Sequence, residues 1–159
     1  MKITFVPRKF GLGLAAIVVA AGVAAGTPSQ AQDNMMMKER VALMKNNGKN
    51  LGIIGKAIKG EMAVDLAALG AAAANIGKNA NKLKSLFPAG SGGGESRALP
   101  AIWEKRADFD AFLVKLASAS DAFAREAATG KMANLKASFG AMASNCGGCH
   151  KVYRAEKKK

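Results

Sequence analysis

A chain of 159 residues with 24 Lys and Arg against 11 Asp and Glu carries a formal charge of +13, and 50% of its residues are apolar. That size fits one domain with a real core rather than several, and the charge favours acidic partners by long-range attraction. One Trp, one Tyr and no interleaving of aromatic with basic residues argue against nucleic-acid binding.

Lys2, Arg8 and Lys9 precede the apolar run GLGLAAIVVAAGVAAG, and TPSQA follows, with Ser29 and Ala31 as small residues before a cut. This is the pattern of a secretory signal peptide over residues 1–31. The run is shorter than the roughly 20 residues a spanning helix needs, so no stable membrane anchor is expected after cleavage near Ala31. Export points to the periplasm, where thiols are not kept reduced by default. Removing 31 of the 159 residues leaves 128, numbered 32–159, as one domain, and losing the leader's three cations lowers the charge to +10.

The remaining chain is rich in Ala, Leu, Lys and Met, and its apolar residues recur in steps of three and four over four stretches. The first helix is expected over Asp33 to Lys59, with Met37, Val41, Met44, Gly48, Leu51, Gly55 and Ile58 on one face and Gly60 ending it. A second is expected over Met62 to Leu86, with Leu66, Leu69, Ala73, Ile76, Ala80, Leu83 and Phe87 as its stripe. PAGSGGGES then breaks the chain and reads as an exposed, mobile loop. A third helix opens with Pro100 in its first turn, buries Ile102, Phe109, Leu113, Leu116 and Phe123, and stops near Gly130. The fourth, over Lys131 to Lys157, carries Met132, Leu135, Phe139, Met142, Cys146, Cys149 and Tyr153 in its stripe. Four such helices with mostly short connections predict an all-α, antiparallel up-down-up-down four-helix bundle.

Cys146, Cys149 and His150 are the only two cysteines and the only histidine of the chain, and they fall in the last predicted helix. Residues three and four apart share a helix face, so the three side chains meet on one patch. Cys-x-x-Cys-His is the attachment signature of c-type haem: two thiols bond the two vinyl groups of one porphyrin edge, and the following imidazole reaches the iron. A structural zinc site needs four ligands where three exist. A thioredoxin-like dithiol belongs at a helix start after a strand, and an i, i+3 disulfide within a helix constrains little.

The secreted four-helix pattern, Ile102-Trp103 opening the third helix and C-x-x-C-H-x-x-[YF]-R close to the C-terminus resemble the cytochrome c′ family, the class II c-type cytochromes. The resemblance spans the whole chain beyond residue 31 and implies one covalent haem c held by Cys146 and Cys149, with His150 on the iron.

With one histidine, the sixth iron position falls to Met, Lys, a small molecule or nothing. Met44 is the candidate, mid-helix on the first stripe, where Gly48 and Gly55 leave room for a flat macrocycle; a buried core filler is the alternative. The stretch ALMKNNGKNLGIIGKAIKGE is similar to the low-spin branch, cytochrome c556 type, in which a first-helix Met binds the iron. High-spin members resemble it closely but leave the position open for nitric oxide or carbon monoxide. A Met/His pair suits electron transfer, because the soft thioether raises the potential and little moves on reduction.

Arg154, one turn beyond His150, and Arg40, one turn before Met44, are placed to meet haem propionates, and Trp103 and Phe139 to pack on the porphyrin. No paired base and nucleophile is present, so the chain reads as a carrier and not an enzyme. Redox proteins with acidic faces are the expected partners, and the resemblance implies a homodimer through the first two helices.

Overall fold

The computed structural model describes Met1 and residues 30–92 and 96–156. The expected signal peptide lies almost wholly outside the described residues, as does the lysine-rich end at 157–159.

Helix α1 runs Gln30–Lys59, with Asp33 in its first turn and Lys56 and Lys59 in its last, each complementing the helix dipole. It ends where expected: Gly60 takes φ +78°, its N–H donates to Ala57, and the Glu61 N–H reaches back to the Lys56 carbonyl. Those two bonds satisfy the last carbonyls, and only glycine adopts the turn without strain.

Helix α2, Leu66–Leu83, starts four residues later than the apolar pattern suggests, because the Asp65 carboxylate accepts the Ala68 N–H at 3.0 Å and caps it there. A 3₁₀ turn, Lys84–Leu86, tightens its end ahead of Pro88. The expected third helix is two: a single turn, α3 (Ala101–Glu104), and the long α4 (Arg106–Thr129), separated at Lys105 by a non-helical backbone (φ −122°, ψ 48°). Gly130, at φ +73°, closes α4. Helix α5 spans Met132–Tyr153 and stops short of Lys157, because Arg154 turns extended and pairs with Ala98.

Packing follows the small residues of α2. A Cβ on Gly77 would sit 3.3 Å from Ser120 and Asp121, and one on Gly70 would sit 3.5 Å from Ala127, so α2 and α4 lie close. Part of the surface of α2, one of the two helices through which the resemblance implies a homodimer, is thus occupied by the chain's own α4. Helix α4 packs in turn on α5 and α1 on α2, whereas α1 meets α5 far less. The four long helices form the expected bundle, with no strand among the described residues. None of the described helices is long and apolar enough to cross a membrane.

Two apolar clusters make the core. One joins Ile54, Leu69, Ile76, Phe123, Leu135 and Met142 across all four long helices. The other, at the opposite end of α2, gathers Leu83, Leu86, Phe87, Ile102, Phe109, Leu113 and Tyr153. The stripes of α2 and α4 are buried as expected, apart from a half-buried Leu66. On α1 Gly55 is buried as expected, but the other buried residues are Arg40, Asn47, Ile54 and Ala57, while Val41 is 48% exposed.

Phe123 is wholly buried among all of these elements. Phe123→Ala is expected to cost about 3–5 kcal/mol by transfer and cavity terms. Urea denaturation followed by helical circular dichroism measures it, and a loss under about 1 kcal/mol would contradict the packing described.

Candidate functional site

The space between α1 and α5 is a cavity of about 480 Å³, open on one side. Met37, Arg40, Val41, Met44 and Lys45 of α1 face it on one flank, and Cys149, His150 and Tyr153 of α5 on the other. Phe87, Ile102 and Phe109 form its apolar floor, and Arg97, Ala98 and Arg154 part of its rim. The apolar stripe of α1 that read as core is therefore cavity wall over its N-terminal half. Its period was legible, but nothing in it says whether the buried face meets protein or another group.

Of the expected site residues, Met44, Arg40, Cys149, His150 and Arg154 come together in this wall. Cys146 is half-buried one turn earlier on α5, against the first core cluster. Gly48, Trp103 and Phe139 lie outside the wall. Gly48 is exposed, with nothing within 4 Å of a built Cβ. The room left by Gly55 is filled by the Phe139 ring itself, 3.1 Å from where a Cβ would be. Trp103 donates its indole N–H to the Pro88 carbonyl at 2.7 Å and pins the loop entrance.

The described flanks of that loop are anchored, although Ala89, Gly90 and Gly92 are exposed as PAGSGGGES suggests; residues 93–95 lie outside the described residues. Arg40 reaches across from α1 and donates through Nη2 to the Ser91 carbonyl at 2.9 Å and to Ser91 Oγ at 2.8 Å. At the far end Arg97 donates to the Ala155 carbonyl through Nε at 2.9 Å and also through Nη2. The Leu99 N–H bonds the Tyr153 carbonyl at 3.1 Å, and the Ala155 N–H bonds the Arg97 carbonyl at 2.8 Å. A loop against a core must pair its carbonyls, and arginines supply the donors. Arg97 is the residue that sequence reasoning missed; a single Arg after a glycine run carries no periodic signal.

Arg40 is 4% exposed and lies 4.4 Å from the centre of the Phe87 ring. Burial lowers its pKa, with Asp33 opposing. Its Nε and Nη1 are buried without a partner. Unsatisfied charged donors are costly, so the wall asks for an acceptor that the protein does not provide. No Asp or Glu lines the cavity, while Arg40, Lys45, Arg97 and Arg154 do. An apolar planar group bearing carboxylates meets both demands, and a haem with its propionates is such a group.

The sulfur and imidazole chemistry agrees. Burial pushes the Cys146 thiol up, and burial together with Cys146 pushes Cys149 up to about 11. Both stay protonated at neutral pH. Burial, then Arg154 and Arg97, lower the His150 pKa, which leaves its imidazole neutral with a lone pair free for a metal. Beyond it, Asn145 Nδ2 donates to the Phe112 carbonyl at 3.0 Å, and Gly148 lets the Phe112 ring approach to 3.3 Å of a built Cβ, fixing α5 against α4.

A helical bundle with this wall and a Cys-x-x-Cys-His on its last helix defines a c-type haem protein of the helical-bundle class. Residues 35–154 match the family described as cytochrome C′. The chain is 36% identical over 140 residues to cytochrome c′ of Rhodopseudomonas palustris, covering 87% of this chain and 94% of that one. It is also 36% identical over 121 residues to cytochrome c-556 of Agrobacterium fabrum, covering 76% and 82%. The solved cytochrome c′ of Rhodopseudomonas palustris superposes with a TM-score of 0.69 at 38% identity, over 77% of this chain and 98% of that one. The chain belongs to the cytochrome c′ family, whose members bind one covalent haem c per chain. One solved neighbour, 27% identical with a TM-score of 0.71 over 83% of this chain and 100% of that one, is described as a cytochrome c′ with a ligand-controlled dimer dissociation.

In protein made without haem attachment, the alkylation rate of Cys149 is expected to keep rising towards pH 11, since only the thiolate reacts and its pKa is raised. Iodoacetamide labelling of the otherwise wild-type chain across pH, with Cys149 modification read by peptide mass, measures this. A plateau already reached by about pH 9, as for an ordinary thiol, would contradict the buried geometry.

Proposed function

We propose that the chain is an exported electron carrier, cleaved near Ala31, whose haem c is joined through thioethers to Cys146 and Cys149 and ligated by His150 and Met44. Met44 on α1 and His150 on α5 stand in the wall of one cavity, and that observation carries the reading. Bound there, the group supplies one-electron iron chemistry. The protein's residues do the rest. His150 offers a neutral imidazole, and the desolvated Arg40, with Arg97 and Arg154, offers donors to the propionates. Phe87, Ile102 and Phe109 keep water from one face. Lys45, Arg97 and Arg154 at the rim favour a partner with an acidic face, and association is screened by salt.

A second reading has the comparisons behind it, which favour it over methionine ligation. The relative with 140 matched residues and the solved neighbour are both called cytochrome c′. Here Met44 is wall, the sixth position is open, and the protein binds nitric oxide or carbon monoxide. Met37 also lines the cavity, so a thioether facing it is not by itself a ligand.

Under the first reading, the oxidised protein shows the near-infrared band of a methionine-ligated ferric haem. Met44→Ala removes the band and turns slow carbon monoxide binding into prompt binding. An unchanged spectrum in Met44→Ala, with prompt carbon monoxide binding by the reduced wild type, establishes the second reading. For the attachment, Cys146→Ala and Cys149→Ala are each expected to lose one thioether, and the double variant to lose all covalently held haem on denaturing mass measurement. Haem retained covalently by the double variant would overturn the assignment.

A further inference from the structure

Tyr153 is the single tyrosine of the chain and is 3% exposed. Its ring lines the cavity together with Cys149 and His150. Phe109 meets it edge-on at 5.3 Å between centroids, and Phe112 at 6.0 Å. Its hydroxyl donates to Asp108 Oδ2 at 2.6 Å. Asp108 is exposed, sits in the first turn of α4 and is not part of the cavity wall. One side chain thus bridges the cofactor's cavity and a solvent-facing carboxylate.

A buried phenol needs a hydrogen-bond partner, and here that partner is a carboxylate, which is also a base. Its chemistry is specific: a buried phenol beside a carboxylate can lose an electron and a proton together. Losing the electron alone would leave a cationic radical in a desolvated site, which is costly. Passing the proton along a short, charge-assisted bond keeps the tyrosine itself neutral, and the pair loses only the negative charge of the carboxylate. Burial and the Asp108 bond push the phenol's pKa up to about 12, so the proton stays until the electron leaves. Trp103 lacks this provision, because its indole N–H faces the Pro88 carbonyl, which cannot take up a proton.

We propose that Tyr153 is a redox-active relay that passes one electron from the reduced cofactor to a one-electron oxidising radical in solution, with Asp108 holding the proton meanwhile. The proposal rests on the cofactor placement given above. In the first half, the radical gains one electron, the Tyr153 O–H bond breaks and its proton moves to Asp108 Oδ2. A neutral phenoxyl radical and a protonated carboxyl remain. In the second half, the phenoxyl regains one electron, which the reduced cofactor would supply by giving up one, and the proton returns from Asp108 to the phenol oxygen. Tyr153 and Asp108 are regenerated, and the net change is one electron moved from iron to oxidant.

Flash photolysis of the holoprotein with ruthenium tris-bipyridyl and a sacrificial acceptor generates the oxidant, and freeze-quenched electron paramagnetic resonance reads the radical. With ferric iron, which cannot refill the tyrosine, wild type is expected to give a phenoxyl signal that narrows on ring-deuterated tyrosine. Tyr153→Phe loses the signal. Asp108→Asn, which keeps a hydrogen-bond acceptor but not a base, weakens it. With ferrous iron the signal is absent and iron oxidation is faster in wild type than in Tyr153→Phe. No phenoxyl signal in ferric wild type, or an undiminished one in Tyr153→Phe, overturns the relay. Should Tyr153→Phe fail to fold, the deuterium narrowing and Asp108→Asn decide the matter. Covalent haem is measured by mass on the same samples: its absence refutes the cofactor placement, while its presence without the radical refutes the relay alone.

Discussion

Where α1 and α5 face each other, neither helix brings enough side-chain volume to close the gap, and a cavity of about 480 Å³ results. A close-packed interior does not leave that much apolar surface unpaired without a reason. Around it the bundle closes tightly, with α2 drawn onto α4 through Gly70 and Gly77 and α4 onto α5 through Asn145 and Gly148. The loosest pairing between adjacent long helices is thus the one whose wall carries Cys149 and His150 together with Met44.

The second core cluster, the loop and the end of α5 form one mechanical unit beneath that gap. Arg40 ties α1 to Ser91, Arg106 ties α4 to the Phe87 and Lys84 carbonyls, and Arg97 ties the loop to Ala155. Three arginines thus hold the backbone on either side of the glycine run. Their cost is desolvated charge, greatest at Arg40, and a carboxylate-bearing ligand would offset it at the Nε and Nη1 that have no partner.

Much of this was legible beforehand, for identifiable reasons. Cys146, Cys149 and His150 announce themselves because covalent attachment demands a fixed spacing that chance rarely supplies. The stripes of α2 and α4 were readable because both faces meet protein, so period and burial coincide, as at Leu69, Ile76, Phe109 and Phe123. On α1 they part company. Met37, Val41 and Met44 are apolar because a cavity lies beside them, and the residues in full contact with protein include Arg40 and Asn47, which no hydropathy pattern selects. The break at Lys105 was likewise hidden, since Pro100 and the apolar spacing suit one continuous helix. The anchoring of the loop depends on partners 51 and 58 residues away in sequence, which local composition does not encode.

The two sulfurs of α5 sit against different clusters, Cys146 against the first and Cys149 against the second. Each thiol is half-buried, and burial favours its less reactive protonated form. A group bonded to both sulfurs would touch both clusters at once, so that its loss would loosen the two ends of the bundle together.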